Sequence, residues 1–208
     1  MKQTLNYSHF SARRNFCGES ACNFIFPQST ISSVLPANTY FLKSQRLGFR
    51  CWTEEDLPLA LALWGDPDVG RFIGGPFSAQ KVEQRLAEHI AMMKAHNMQY
   101  WPIFLLTGGE FVGCAGLRPY KPEKQIHELG AHFLPAYWGQ GFAMEAGKAI
   151  IEFAFGTLGA KGLFAGHHPE NAASRALLPK LGFRYVGEEF FSLTGMIEPV
   201  YLLEPPSR

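Results

Sequence analysis

The chain is short of the features that mark a specialised scaffold. Its 208 residues include four cysteines, Cys17, Cys22, Cys51 and Cys114, with no C-x-x-C pair among them. That is too few and too scattered for a disulfide framework. They read as ordinary thiols of a reducing compartment, so a cytoplasmic location is expected. Charge of one sign is lacking too: 19 Lys and Arg against 18 Asp and Glu leave a formal net charge of +1. A nucleic-acid binder would carry a clustered basic excess, so no nucleic-acid partner is expected. No window holds the roughly 18 uninterrupted apolar residues that span a bilayer, so no membrane is expected either. What remains is 47% apolar, 14% aromatic and 18% charged, with 21 Gly and 14 Pro, the composition of one ordinary globular domain.

Regular patterning is lacking as far as residue 44. Lys2, Arg13, Arg14, Lys43 and Arg46 face a single acid, Glu19, amid Ser, Asn and Thr. A secretory signal needs a continuous apolar stretch of about 7 to 15 residues, and Phe24-Ile25-Phe26 before Pro27 is too short. The acid-poor, Ser-rich start suits a transit peptide only through its two consecutive arginines, and a loosely ordered tail is the expected state. The expected division is therefore an extension over 1–44 and one domain over 45–208. Deletion to about residue 42 should leave that domain folded.

From residue 45 strand-like and helix-like windows alternate. Gln45 to Trp52 places Leu47, Phe49 and Cys51 on one side of a strand. Asp56 caps a helix to Trp64, with Pro58 tolerated in its first turn, and Gly65-Asp66-Pro67-Asp68 stops it. A flexible loop follows through Gly74-Gly75-Pro76, and Ser78 caps a second helix to about His96. Tyr100 to Leu106 and Phe111 to Leu117 form a hairpin around Thr107-Gly108-Gly109-Glu110. Pro102 cannot donate to a ladder and implies a free edge there. Beyond a loop over Arg118 to Lys124 come a strand Gln125 to Leu134, a helix Gly141 to Leu158, a strand Gly162 to Gly166 and a helix Asn171 to Leu181. Strands Arg184 to Phe191 and Pro199 to Leu203 end the run. This order belongs to an α+β layered architecture built on one sheet.

The most informative segment is Trp138-Gly139-Gln140-Gly141-Phe142-Ala143, between a strand and a helix. A helix start exposes about four unpaired N–H groups, and a glycine-lined one is a cradle for phosphate; a plain turn is the competing reading. A dinucleotide fingerprint fails, since Met144 stands where Gly or Ala is needed and Ala160-Lys161 where an acid is needed. A P-loop fails as well, because Gly141 to Gly147-Lys148 is one residue too long and Ala149 replaces the hydroxyl.

The segment Pro135-Ala136-Tyr137-Trp138-Gly139-Gln140-Gly141-Phe142-Ala143-Met144-Glu145-Ala146, followed by His168-Pro169-Glu170-Asn171-Ala172-Ala173-Ser174 and Leu181-Gly182-Phe183, resembles the GNAT superfamily of acyl-CoA-dependent N-acyltransferases. Within it the sequence looks like the RimJ/RimL-like branch of ribosomal-protein N-terminal acetyltransferases. The likeness spans about residues 45 to 204. It implies a mixed, mostly antiparallel sheet whose fourth and fifth strands splay apart, with helices on both faces and acetyl-CoA in the notch. It would place the pyrophosphate on the N–H groups of Gly139, Gln140, Gly141, Phe142 and Ala143, the pantetheine arm beside the backbone of Phe133 and Leu134, and Asn171 across from it. Pro135, lacking a donor, ends its strand's pairing as an opening requires. The sequence departs from the pattern in two places. Trp138 stands where Gln or Arg usually begins the loop, and Leu178 where a Tyr often protonates the leaving thiolate. Pro179 should kink or shorten its helix.

Acetyl transfer needs a neutral amine, stabilisation of an oxyanion and a proton for the thiolate. Glu128, Gly130 and His132 share one strand face. Glu128 is the favoured base, because the family often uses an acid on this strand and Gly130 leaves room for a substrate; pairing with a basic residue on a neighbouring strand is the competing reading. His132 is a rival base. At roughly 13 Å apart the two form no dyad. The RimL-like branch suggests the Ser174 hydroxyl as proton donor, against a helix-start hydrogen bond, and the Leu134 N–H is the expected oxyanion donor. His167-His168 point to opposite faces and form no metal pair; no metal is expected. Substrate contacts are expected from Asp66 to Phe77, where Asp66 and Asp68 either attract a cationic amine or serve the turn, and from Arg118 to Lys124. Phe72 and Phe77 suit pocket or core, and Tyr100 and Trp101 suit the core.

The expected function is transfer of acetyl from acetyl-CoA to a primary amine, a protein N-terminus or a small amine, by direct attack in a ternary complex. No cysteine falls in the matched motifs, which disfavours an acyl-enzyme. A monomer or homodimer is expected, and a catalytically silent acetyl-CoA-binding module is the alternative.

Overall fold

The computed structural model describes residues 40–206. Eight strands form one sheet in the order β1-β2-β3-β4-β5-β6-β8-β7. They are β1 Leu42–Lys43, β2 Leu47–Phe49, β3 Tyr100–Leu105, β4 Phe111–Lys121, β5 Ile126–Phe133, β6 Gly162–Gly166, β7 Arg184–Phe191 and β8 Met196–Leu203. Every neighbouring pair is antiparallel except β5 with β6. The helices are α1 Leu57–Trp64, α2 Pro67–Gly70, α3 Ala79–His96, α4 Phe142–Gly156 and α5 Ala172–Lys180.

Alternation along β3 assigns the two faces. Tyr100 turns to the α1 and α3 side, where its ring meets His89 in a core that includes Trp52, Leu63, Trp64, Val82 and Leu86. Trp101 turns to the other face and packs edge-on against Phe153 of α4. The layers thus match the expected mixed, mostly antiparallel sheet with helices on both faces.

The opening lies between β5 and β6. Their parallel pairing covers only Ile126↔Gly162, His127↔Leu163 and Glu128↔Phe164, while β5 continues to Phe133 along β4. These are the fourth and fifth strands of the sequence reading, and they splay as expected. Pro135–Tyr137 forms a single 3-10 turn after β5, and Gly141, at φ 81°, caps α4.

Several boundaries differ from expectation, each for a local reason. Leu42↔Phe49 pairing and the Phe41 ring against Trp101 and Phe153 carry the packed domain past the expected boundary at 44/45. The readings of residues 1–39 lie outside the described residues. The expected loop after α1 contains α2, because the Asp66 carboxylate caps it by accepting the N–H groups of Asp68 and Val69, the turn role of the two expected. Arg118 to Lys124 is mostly strand: β4 runs to Lys121 across an irregularity between Pro119 and Lys121. Two prolines there mimic a loop in the sequence, yet the prolines interrupt only part of the pairing. Pro102 sits just beyond the last β2–β3 partner pair, Phe49↔Ile103, so its missing donor disrupts nothing. Helix α5 ends one residue after Pro179, the expected shortening.

Candidate active site

The Gly139–Ala143 loop leaves its donors available. None of its N–H groups donates to a side chain or to backbone outside regular structure among the described residues, and the first N–H groups of α4 have no intrahelical acceptor. Gly139 at φ 74° and Gly141 at φ 81° hold a left-handed path that L-residues resist. A guanidinium reaches this loop from elsewhere in the chain. Arg46, after the β1 turn, donates Nη2 to the Gln140 carbonyl at 3.2 Å and lies over the Phe142 ring at 4.3 Å. Its Nε and backbone N–H both reach Glu145. Burial pushes the Glu145 carboxyl up, but the Ser44 and Arg46 hydrogen bonds outweigh it and hold the group below its ordinary value. Glu145 is therefore a clasp between the loop and the segment after β1. Trp138 donates its indole N–H to the Phe133 carbonyl at 2.7 Å, tying the loop to the end of β5. The set of donors suits a pyrophosphate.

A cavity runs from Ala143 along the notch to the α3 side of the sheet, and Glu128, His132, Asn171 and Ser174 all border it. Asn171 caps α5, its Oδ1 accepting the Ser174 N–H at 3.0 Å. The Leu134 N–H is not available as an oxyanion donor, because it donates to the Val112 carbonyl at 3.0 Å. Successive residues of an antiparallel strand turn their backbone groups to opposite edges, so the Phe133 N–H turns toward the notch instead. Periodicity showed the alternation but not which partner each edge had.

Glu128 faces Arg118 directly in the β4–β5 register. Its Oε1 accepts from Arg118 Nη2 at 2.6 Å and from the Tyr100 hydroxyl at 2.8 Å. The carboxylate therefore has the neighbouring-strand pairing that was the competing reading, while remaining on the cavity wall. Gly130 does not leave room for a substrate. A Cβ there would lie 2.2 Å from the Tyr100 hydroxyl oxygen, so the phenol occupies the space. Tyr100 belongs to both core and site: burial and the Glu128 carboxylate hold its hydroxyl protonated far above the usual range, although Arg118 opposes this. Its ring also meets His132 edge-on at 5.6 Å.

His132 is ill-suited as a base. Burial first, then the charges of Arg85 and Arg118, keep it neutral well below its ordinary value. Trp64 Nε1 donates to its Nδ1 at 3.2 Å, which puts the ring proton on Nε2 and leaves no open acceptor. The nearby Cys114 thiol, 3.7 Å from the same nitrogen, is wholly buried and pushed up to about 12 by that burial, so it is no nucleophile. His167 is hydrogen-bonded to the His168 carbonyl and the Tyr201 hydroxyl. Among the described residues no group of three or more His, Cys, Asp or Glu could hold a metal.

Phe72, Ile73 and Arg118, which fall in the segments expected to contact substrate, border the cavity; Arg85 and Glu198 border it too and did not stand out in the sequence. Arg85 had a findable signal, since it falls three residues after Val82 and four before His89 on the buried stripe of α3. Glu198, 4% exposed, accepts from Thr194 at 2.6 Å and forms no ion pair among the described residues. It was missed because the expected strand began at Pro199.

Residues 46–184 match the acetyltransferase (GNAT) domain. The uncharacterized N-acetyltransferase p20 of Bacillus licheniformis is 26% identical over 165 residues, covering 77% of this chain and 93% of that one. Among solved structures, RimL, the ribosomal L7/L12 alpha-N-protein acetyltransferase in complex with coenzyme A, superposes with a TM-score of 0.67 at 16% identity, covering 77% and 95% of the two chains. The spermidine N-acetyltransferase of Vibrio cholerae with CoA and spermine gives 0.65 at 18%, covering 76% and 95%. At those identities the two structures speak for the fold.

Proposed function

Because the chain belongs to the acetyltransferase (GNAT) family, we propose that it transfers acetyl from acetyl-CoA to a primary amine by direct attack within a ternary complex. The observation that carries this reading is the continuity of one path. Open backbone donors at the start of α4, reinforced by Arg46, lead into a notch where β5 leaves β6, and the notch ends beside Glu128. Gly139 to Ala143 receive the pyrophosphate. The Phe133 and Leu134 backbone and Asn171 flank the pantetheine arm.

At the far end the amine nitrogen attacks the thioester carbonyl. A C–N bond forms, the C–S bond breaks, and the oxyanion is received by the Phe133 N–H. Glu128, whose Oε2 has no partner among the described residues, takes the amine proton directly or through water. The Ser174 hydroxyl, bordering the cavity where Leu178 offers none, returns a proton to the departing thiolate. The segment Pro135 to Ala146 supports a place in the RimJ/RimL-like branch. It makes a protein N-terminus or a small amine the acceptor, in a cytoplasmic protein.

The pairing of Glu128 with Arg118 favours a second reading, an acetyl-CoA-binding module without turnover. Calorimetric acetyl-CoA binding together with CoA-thiol release against an amine panel separates the two. Release with an acceptor supports transfer, whereas tight binding with no release from any acceptor establishes the silent module.

A further inference from the structure

Arg85 is a cation without an anion. It borders the cavity and takes part in no hydrogen bond or ion pair among the described residues, and its Nε is shut from solvent with no partner. The guanidinium is held between two rings, 5.0 Å from the Trp64 centroid and 5.1 Å from that of Phe77. Such a sandwich fixes its position but supplies no acceptor for its donors. Glu88, the acid one turn along α3 from Arg85, is exposed and accepts the Gln84 amide.

The cavity also holds Arg118, whose Nε is likewise shut in without a partner, and two carboxylates: Glu128, which Arg118 already engages, and Glu198, which accepts from Thr194. His89 and His132, the titratable neighbours, are held neutral by burial and by these two arginines. Neither carboxylate forms an ion pair with Arg85, so that cation has no counter-ion in contact with it among the described residues. Burial and the repulsion of Arg118 lower the Arg85 proton affinity, with Glu88 too weak to offset them. A buried charge is normally paired, and leaving this one unpaired destabilises the fold unless a ligand completes it.

We propose that the amine acceptor is a small amino acid, whose carboxylate Arg85 receives while its amino group is presented to the thioester. A guanidinium fork suits the two oxygens of a carboxylate. Polyamines and other purely cationic amines would meet Arg85 and Arg118 with like charge. The proposal rests on the acetyltransferase reading above, naming its substrate class.

The test is CoA-thiol release from the full chain with paired acceptors: ornithine against putrescine, lysine against cadaverine, and a neutral peptide with a free N-terminus. The expected result is a kcat/KM at least tenfold higher for each amino acid than for its decarboxylated partner and for the peptide. Arg85→Met should raise KM for the amino acids at least tenfold and erase that preference, with Arg85→Lys restoring part of it and acetyl-CoA affinity by calorimetry unchanged in both. Equal or better use of the decarboxylated amines or the peptide overturns the proposal and leaves acetyl transfer standing. An equal loss for all acceptors in Arg85→Met overturns it too, since that is a structural effect. Acetyl-CoA binding with no release from any acceptor overturns both readings.

Discussion

Replacing Glu128 separates a structural carboxylate from a catalytic one, but only as part of a double substitution. The Arg118–Glu128 pair is 2.6 Å long, with side chains 24% and 17% exposed. Removing one partner of a fully buried pair costs about 3–5 kcal/mol. Partial solvent screening and the retained acceptor oxygen of glutamine reduce that to roughly 2 kcal/mol for Glu128→Gln. For a chain of this size that is a fall of about 4–8 °C in Tm. Loss of a general base lowers turnover by about 100-fold or more, so a single variant with both defects would be ambiguous. Arg118→Met removes the stranded cation. The double variant should recover to within about 1 kcal/mol of the parent by thermal melting, while its CoA-thiol release stays about 100-fold below that of Arg118→Met alone. If the double variant turns over within a few-fold of Arg118→Met, Glu128 is only a pairing partner and the base assignment is wrong.

Gly130→Ala sets a methyl group 2.2 Å from the Tyr100 hydroxyl, and with Tyr100 2% exposed the strain should cost about 1–3 kcal/mol in urea unfolding; an unchanged midpoint would mean the phenol moves freely. Deleting residues 1–39 should leave Tm within a few degrees. Deleting 1–42 removes the Phe41 ring from Trp101 and Phe153 and should cost about 3 kcal/mol; equal melting of the two would place the boundary where the sequence suggested. Arg46→Ala should weaken acetyl-CoA binding about tenfold by calorimetry through loss of one charge-assisted contact, with the amine KM unmoved, and undiminished affinity would remove Arg46 from the cradle. For Asp56, burial acts to raise the carboxyl, but the Arg50 and Thr53 bonds prevail and depress it below 3.8. Its contribution is thus present above that value and lost as pH falls through the folded value. The stability gap between the parent and Asp56→Asn should shrink below about pH 4, and a constant gap would refute the pairing.

The elements that sequence periodicity located well are those whose signals are local. Ser78 caps α3 through the Lys81 N–H, the glycines at 139 and 141 have positive φ, and Pro179 stands one residue before the end of α5. Strand ends were less legible. Pro119 and Pro122 look like a loop, while the pairing that carries β4 to Lys121 is made with residues of β5. The same limit affected the site. Glu128 and His132 were found from their alternation, yet their partners lie on other elements: Arg118 on β4, Tyr100 on β3 and Trp64 on α1.

By itself the sequence determined the layered α/β architecture, the glycine loop at a helix start and the candidate carboxylate strand, because capping, period and turn chemistry act over a few neighbouring residues. Only the tertiary structure decided which groups remain free to act. It engages the Leu134 N–H with Val112, fills the space over Gly130 with Tyr100, brings Arg46 to the glycine loop, and leaves the Arg85 Nε without a partner among the described residues. Hydrogen bonds and charges are settled by what lies opposite in space, and residues opposite in a sheet are far apart along the chain.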